Sequence, residues 1–305
     1  MSNFLMHILG SKGETESGGA SEQRTSDLPT QPNTSSINSD SSPNSSNNST
    51  RFTVGLINSI GLQREHNEDA LFAMTTYLIS DDSSLPFGLY ILADGMGGHV
   101  YGEKASEMAI HAMANGVLTK LLPAIQDGSG GNSADNIQVI MKEGVLAAHQ
   151  AIIEGAPGGG STLTGILLLR DQMTIAHIGD SRAYAIDTQG NVNLLTTDHS
   201  LVKRLVDLGQ ITTDEAAIHP QRNVLYRALG QAEMVDPDLI STPIPESGYL
   251  VLCSDGLWGV VPDDQMTNII SSAISPQKAS QTLLEAANAA GGPDNISVIV
   301  IEISN

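Results

Sequence analysis

Apolar and polar positions along the chain fall into alternating blocks of two kinds. Continuous apolar or β-branched runs occupy 52–60, 70–79, 87–93, 161–169, 173–186, 191–196, 249–253 and 296–303, and each predicts a strand. Turn residues bound them, notably Arg170-Asp171-Gln172 and Thr188-Gln189-Gly190-Asn191, at spacings that suit antiparallel hairpins. Helical spacing replaces this pattern over 102–122, where Ala105, Met108, Ala109, Ala112, Met113 and Val117 form one stripe. It returns over 134–154 through Ile137, Ile140, Met141, Ala148 and Ile152. Shorter helices are expected near 199–208, 212–217, 263–273 and 276–290, the last opened by Ser275 and Pro276. Helices gathered in pairs between groups of strands predict α+β layers rather than a βαβ wind. No GxGxxG opens a helix after a strand, and Gly158-Gly159-Gly160 precedes a strand instead, which is the wrong context for a dinucleotide site.

Residues 1–50 share neither period. Ser, Thr, Asn, Gly and Pro dominate them, and so few large apolar side chains cannot offset the entropy of ordering the segment. The expected organisation is a disordered N-terminal tail over 1–50 and one folded domain over 51–305. Of the chain's 34 acidic and 14 basic residues, the tail holds five and two, so the domain keeps 29 against 12, a net of −17 out of −20. That balance excludes the phosphate backbone of a nucleic acid and an anionic membrane surface as partners. No uninterrupted apolar run approaches the roughly 18 residues of a membrane span. The N-terminal MSNFLMHILG has neither a basic region nor an apolar stretch long enough for a secretory signal, so the expected location is the cytoplasm. The single cysteine, Cys253, lies in the apolar run 249–253 and is expected to be a small buried hydrophobe.

The chemistry is written in where the acids fall. Asp94-Gly95 and Asp255-Gly256 end apolar runs, Gly179-Asp180 follows another, and Asp294-Asn295 stands just before the last. Asn67-Glu68-Asp69 precedes the run at 70–79. If these edges converge, the repulsion between carboxylates demands cations or shared protons. Oxygen-only ligands favour Mg²⁺, Mn²⁺ or Ca²⁺ over zinc or copper.

The ordered set Arg64-x-x-Asn67-Glu68-Asp69-Ala70, Asp94-Gly95-Met96-Gly97-Gly98-His99, Gly160-Ser161-Thr162, Gly179-Asp180-Ser181-Arg182, Ser254-Asp255-Gly256-Leu257 and Asp294-Asn295 resembles the metal-dependent protein phosphatases of the 2C type, their bacterial members in particular. The resemblance spans roughly 52–303. Residues 198–230, with Asp198-His199-Ser200, His219-Pro220 and Arg227-Ala228-Leu229-Gly230, resemble the flap of that bacterial group. The resemblance implies a four-layer α-β-β-α sandwich of two mainly antiparallel sheets flanked by helix pairs. It implies a dinuclear Mn²⁺ or Mg²⁺ centre held by Asp69, Asp94, Asp255, Asp294 and the Gly95 carbonyl, with Glu68 acting through water. Asp180 with Asp255 matches the place of a third, weaker ion, and Arg64 the arginine that grips the substrate phosphate.

The implied activity is hydrolysis of phosphoserine and phosphothreonine in proteins, opposing a bacterial Ser/Thr kinase, by a monomer. Two alternatives stay open: a non-catalytic metal- or phosphoprotein-binding module, and a phosphatase dedicated to a sigma-factor switch. Animal relatives carry a histidine where this chain has Met96, so the acid for the leaving alkoxide lies elsewhere; His99 and a metal-bound water are the candidates. His219 is a candidate substrate contact, against a plain turn residue before Pro220. His66, His111, His149, His177 and His199 are expected to be structural or superficial. Arg182 is expected to pair with one of the clustered carboxylates, and Trp258 to pack beneath the site.

Overall fold

A computed structural model describes residues 50–80, 83–97, 100–126, 134–231 and 233–304; all of the expected tail except Thr50 lies outside them. In chain order the elements are β1 (Arg51–Ser59), β2 (Asp69–Ser80), β3 (Ser83–Met96), α1 (Val100–Gln126), α2 (Ala134–Gly155), β4 (Gly160–Ser161), β5 (Leu163–Leu169), β6 (Gln172–Ile178), β7 (Arg182–Ile186) and β8 (Val192–Leu194). They continue with α3 (Leu201–Asp207), α4 (Thr213–Ala217), β9 (Asp238–Pro243), β10 (Gly248–Cys253), α5 (Asp255–Trp258), α6 (Asp263–Ser272), α7 (Pro276–Ala289) and β11 (Ile296–Ser304).

The strands form two sheets, one ordered β1-β11-β10-β7-β8 and the other β2-β3-β5-β6-β9, with β4 pairing β3. Every pairing is antiparallel. The side chains sort into three apolar layers. On β3, Phe87, Leu89, Ile91 and Ala93 meet the stripe of α1 and α2, while Tyr90 and Leu92 meet the other sheet. On β11, Ile296, Val298 and Val300 pack under α6 and α7, and Ile299, Ile301 and Ile303 turn inward. Both faces of each sheet are therefore covered, which gives the expected α-β-β-α order. It also explains why the strands read as continuous apolar runs rather than alternations. By length and composition Tyr101–Ile125 in α1 could cross a membrane, but Ala105, Ala109, Met113, Val117 and Leu121 are buried against the sheet.

Several elements differ from the sequence expectation: β3 begins at Ser83 rather than 87, and the run 161–169 is divided between β4 and β5. The run 173–186 is two strands, β6 and β7, lying in different sheets; the chain crosses between them at Gly179, whose φ of 110° suits glycine. β9 was not expected, because DLISTP mixes polar and apolar side chains that stay mostly half-buried. The four residues of α5 are too few to show a helical period. Cys253 is buried as expected, and burial pushes its thiol up to about 12.

Where helices meet sheets, spacing is set by small residues. A Cβ on Gly55 would lie 2.1 Å from the backbone N of Gln277 and the carbonyl C of Pro276, at the start of α7. Replacement Gly55→Ala is expected to lower stability by about 1–3 kcal/mol. Denaturant unfolding should show a lower midpoint with an unchanged slope; an unchanged midpoint would mean that this contact is not tight.

Candidate metal centre and phosphate pocket

Strand register builds the first half of the site. Asp69 and Asp94 are directly opposite on the antiparallel pair β2–β3, so their side chains emerge on the same face. The backbone N–H of Asp94 donates to Thr162 Oγ1 at 2.9 Å, and Thr162 Oγ1 lies 2.8 Å from Ser181 Oγ. These hydroxyls join the ends of β3, β5 and β7 beneath the carboxylates. Gly95 is pinned between neighbours: its N–H donates to Glu68 O at 3.0 Å, and a Cβ there would lie 2.1 Å from Gly102 O.

The second half comes from the other sheet. Asp255 begins α5 directly after β10, and Asp294 stands two residues before β11. Asn295, next to Asp294 in sequence and buried, ties this half to the loop before β2. Its Oδ1 accepts the Glu68 N–H at 2.8 Å, and its Nδ2 donates to Ile60 O at 3.0 Å and His66 O at 2.9 Å. One amide thus holds the loop bearing Arg64 and Glu68. Neither role, that of Asn295 or that of Thr162, is legible in the sequence, because no local pattern points to bonds made so far along the chain.

Arg64, Glu68, Asp94, Met96, Thr162, Asp180, Asp255 and Asp294 line one cavity of about 120 Å³, to which Asn223 and Leu225 also contribute. A single water needs about 10–15 Å³ of such space, so that volume suits ions and a phosphate group. Burial raises the Asp94 carboxyl well above its ordinary value, and the charges of Asp69, Asp255 and Asp180 add to it. Burial likewise lifts Asp255, with Asp180 the strongest of the charges acting on it. Asp69 is pushed to about 6 by burial and Asp180 to about 7 by burial and the charge of Asp198. Asp69 Oδ2 is buried without a hydrogen-bond partner. A buried, unpartnered carboxylate oxygen facing like charges fits a hard cation. The described residues hold no ready-made group of three His, Cys, Asp or Glu side chains closed around an ion, so the fit rests on donor type, burial and mutual repulsion.

Arg64 reaches this cavity from its rim, with 48% of its side chain exposed and Nη2 2.6 Å from Asp294 Oδ2. A residue expected to hold phosphate and one expected to hold metal are thus paired with each other here. The flap expected over 198–230 places Asn223 and Leu225 at the cavity. Its ends are tied down by bridges Ser200–Leu225 and Ser161–Leu229 and by Arg227 on Asp238. His219 is half-buried after α4, its Nδ1 accepting the Gln221 N–H at 3.1 Å, and does not line the cavity. His99 lies outside the described residues. His177 and His199 are buried, and burial drives His177 down to about 3. Arg182 pairs with Asp198 at 2.7 Å rather than with an acid lining the cavity.

The family model "Protein phosphatase 2C" matches residues 57–296. A putative 2C-type protein phosphatase of Streptococcus pyogenes is 36% identical over 251 residues, 81% of this chain and 96% of the relative. Among solved structures, the serine/threonine phosphatase of S. agalactiae is similar at a TM-score of 0.69 and 33% identity, over 82% of this chain and 99% of that one. The catalytic domain of the phosphatase PstP, solved with two manganese ions, is similar at a TM-score of 0.67 and 30% identity, over 84% and 100%.

The raised acids carry a pH signature. Asp180 binds its proton more tightly folded (about 7) than unfolded (about 3.9). Its favourable contribution is therefore complete below about pH 4 and lost as pH rises to about 7. His177 acts in the opposite sense, losing its contribution as pH falls below about 6.5, so a difference between variants is the informative quantity. In chelator, Asp180→Asn is expected to match the unsubstituted chain near pH 4 and to exceed it by about 2–4 kcal/mol at pH 7.5. Denaturant unfolding across that range checks it; a gap independent of pH contradicts it.

Proposed function

The chain belongs to the protein phosphatase 2C family, and on that premise we propose that it removes phosphate from serine and threonine side chains of proteins in a Mn²⁺- or Mg²⁺-dependent reaction. The observation that carries this reading is the single cavity lined by Asp94, Asp180, Asp255 and Asp294 with Arg64 at its rim, beside the unpartnered oxygen of Asp69. Two ions would be held by Asp69, Asp94, Asp255, Asp294 and the Gly95 carbonyl, with Glu68 acting through water. Asp180 with Asp255 would hold a third, weaker one. When bound, such ions supply Lewis-acid neutralisation of phosphate charge and a nucleophile at neutral pH.

The residues of the chain do the rest. Arg64 swings between Asp294 and substrate, and its planar fork orients a phosphate through two parallel hydrogen bonds. Asn295 and Thr162 keep the acids in register, and Leu225 lines the cavity from the flap. Met96 has no proton to give, so it contributes bulk and no acid. In a domain of net charge −17, a phosphorylated substrate is repelled except where Arg64 and bound cations reverse the local field. We place the protein in the cytoplasm, acting as a monomer on targets of a Ser/Thr kinase. His219, away from the cavity wall, could touch only the part of a protein substrate beyond the phosphoresidue.

Purified protein is expected to hydrolyse p-nitrophenyl phosphate and a phosphothreonine peptide with Mn²⁺ and to stop in EDTA. Asp255→Ala should cost at least about 100-fold in activity. Arg64→Ala should lower kcat/KM by about 10–100-fold while leaving Mn²⁺ binding in place. Hydrolysis that survives EDTA or Asp255→Ala would overturn the reading.

A further inference from the structure

Trp258, the only tryptophan in the chain, is the last residue of α5, and Asp255 is the first. Its indole Nε1 donates to the backbone carbonyl of Asp180 at 3.0 Å. The ring therefore bridges the two elements that carry these acids. The Arg182 guanidinium lies 3.6 Å from the ring centroid. Arg182 is fixed in turn by both oxygens of Asp198, Nε to Oδ1 at 3.0 Å and Nη2 to Oδ2 at 2.7 Å, and by Tyr184 Oη at 3.1 Å. Asp198 is buried. The next residue, His199, accepts the Gly179 N–H on Nδ1 at 3.1 Å. With Nδ1 accepting, Nε2 bears the proton and donates to Asp238 Oδ2 at 3.1 Å.

The turn from Gly179 to Arg182 is thus held at three points: the N–H of Gly179, the carbonyl of Asp180 and the guanidinium of Arg182. None of these bonds uses the Asp180 carboxylate, which faces the cavity. A bidentate, stacked guanidinium cannot be reproduced by lysine, and an indole N–H aimed at a backbone carbonyl sets both distance and direction.

We propose that Trp258, clamped by Arg182 and Asp198, is a positioning residue that sets Asp180 against Asp255 and thereby the affinity of the cation these two carboxylates share. This inference rests on the metal-dependent reading above.

The test is Mn²⁺ binding to the chelator-stripped full-length chain by calorimetry, with half-maximal Mn²⁺ for p-nitrophenyl phosphate hydrolysis read alongside. Trp258→Phe keeps an aromatic face for Arg182 and removes only the indole and its N–H. It is expected to weaken the weakest ion about 10-fold and to leave the tighter ions within about 2-fold. Half-maximal Mn²⁺ rises in step if that ion is needed for turnover. Arg182→Lys, which keeps the charge and the indole but loses the bidentate, stacked guanidinium, should shift the same ion in the same direction and covers the case in which Trp258→Phe does not fold. An unchanged weakest ion in the folded variants, or equal weakening of every ion, overturns the proposal. An unsubstituted chain that binds no Mn²⁺ overturns the metal-dependent reading itself, and this inference with it.

Discussion

The rest of the structure depends on one electrostatic constraint: several aspartates gathered at the edges of two buried sheets, where their charges repel and water is scarce. Burial and mutual repulsion raise Asp69, Asp94, Asp180 and Asp255 together. A fold tolerates such a group only if protons or cations neutralise it. The sandwich makes this possible by keeping the acids on strand ends, where backbone pairing fixes them; Asp94, Asp180, Asp255 and Asp294 line one cavity, and Asp69 is buried and does not line it. Asp69 and Asp94 are set by the β2–β3 register, Asp255 and Asp294 by the mouths of β10 and β11.

The supporting bonds are neutral and mostly involve the main chain. Asn295 ties three backbone groups of the loop bearing Arg64 and Glu68, Thr162 takes the N–H of Asp94, and Trp258 takes the carbonyl of Asp180. None of these three sets of bonds uses a carboxylate oxygen of the cluster, although the Asn295 backbone N–H also donates to Asp294 Oδ1 at 2.8 Å. Arg64 engages Asp294 as well, at 2.6 Å. On the proposed reading, that pairing would make Arg64 and a cation alternative partners for Asp294.

Much of the fold was legible because the central strands β3, β5, β6, β10 and β11 are buried on both faces and so read as unbroken apolar runs. The same property hid the break at Gly179, since apolar residues continue on either side of a crossing from one sheet to the other. Strand β9 was illegible because its half-buried side chains carry no consistent period, and α5 because four residues cannot show one. The acids themselves were visible as Asp-Gly and Gly-Asp punctuation. Their supports were not: Asn295 bonds to residues more than 220 positions away, and Arg182 finds its partner in Asp198, outside the cavity wall. Sequence pattern reports local conformation and burial; which distant backbone group a polar side chain will satisfy is decided only when the sheets close.

If repulsion among the acids is what the cations relieve, metal must displace protons. The most direct measurement is calorimetric titration of the stripped chain with Mn²⁺ at pH 6.5 in two buffers of different ionisation enthalpy. With Asp180 near 7 and Asp69 near 6, and Asp94 and Asp255 also raised by burial and neighbouring charge, the account predicts that binding at pH 6.5 releases about one proton or more. Binding with no proton release at pH 6.5 would contradict it.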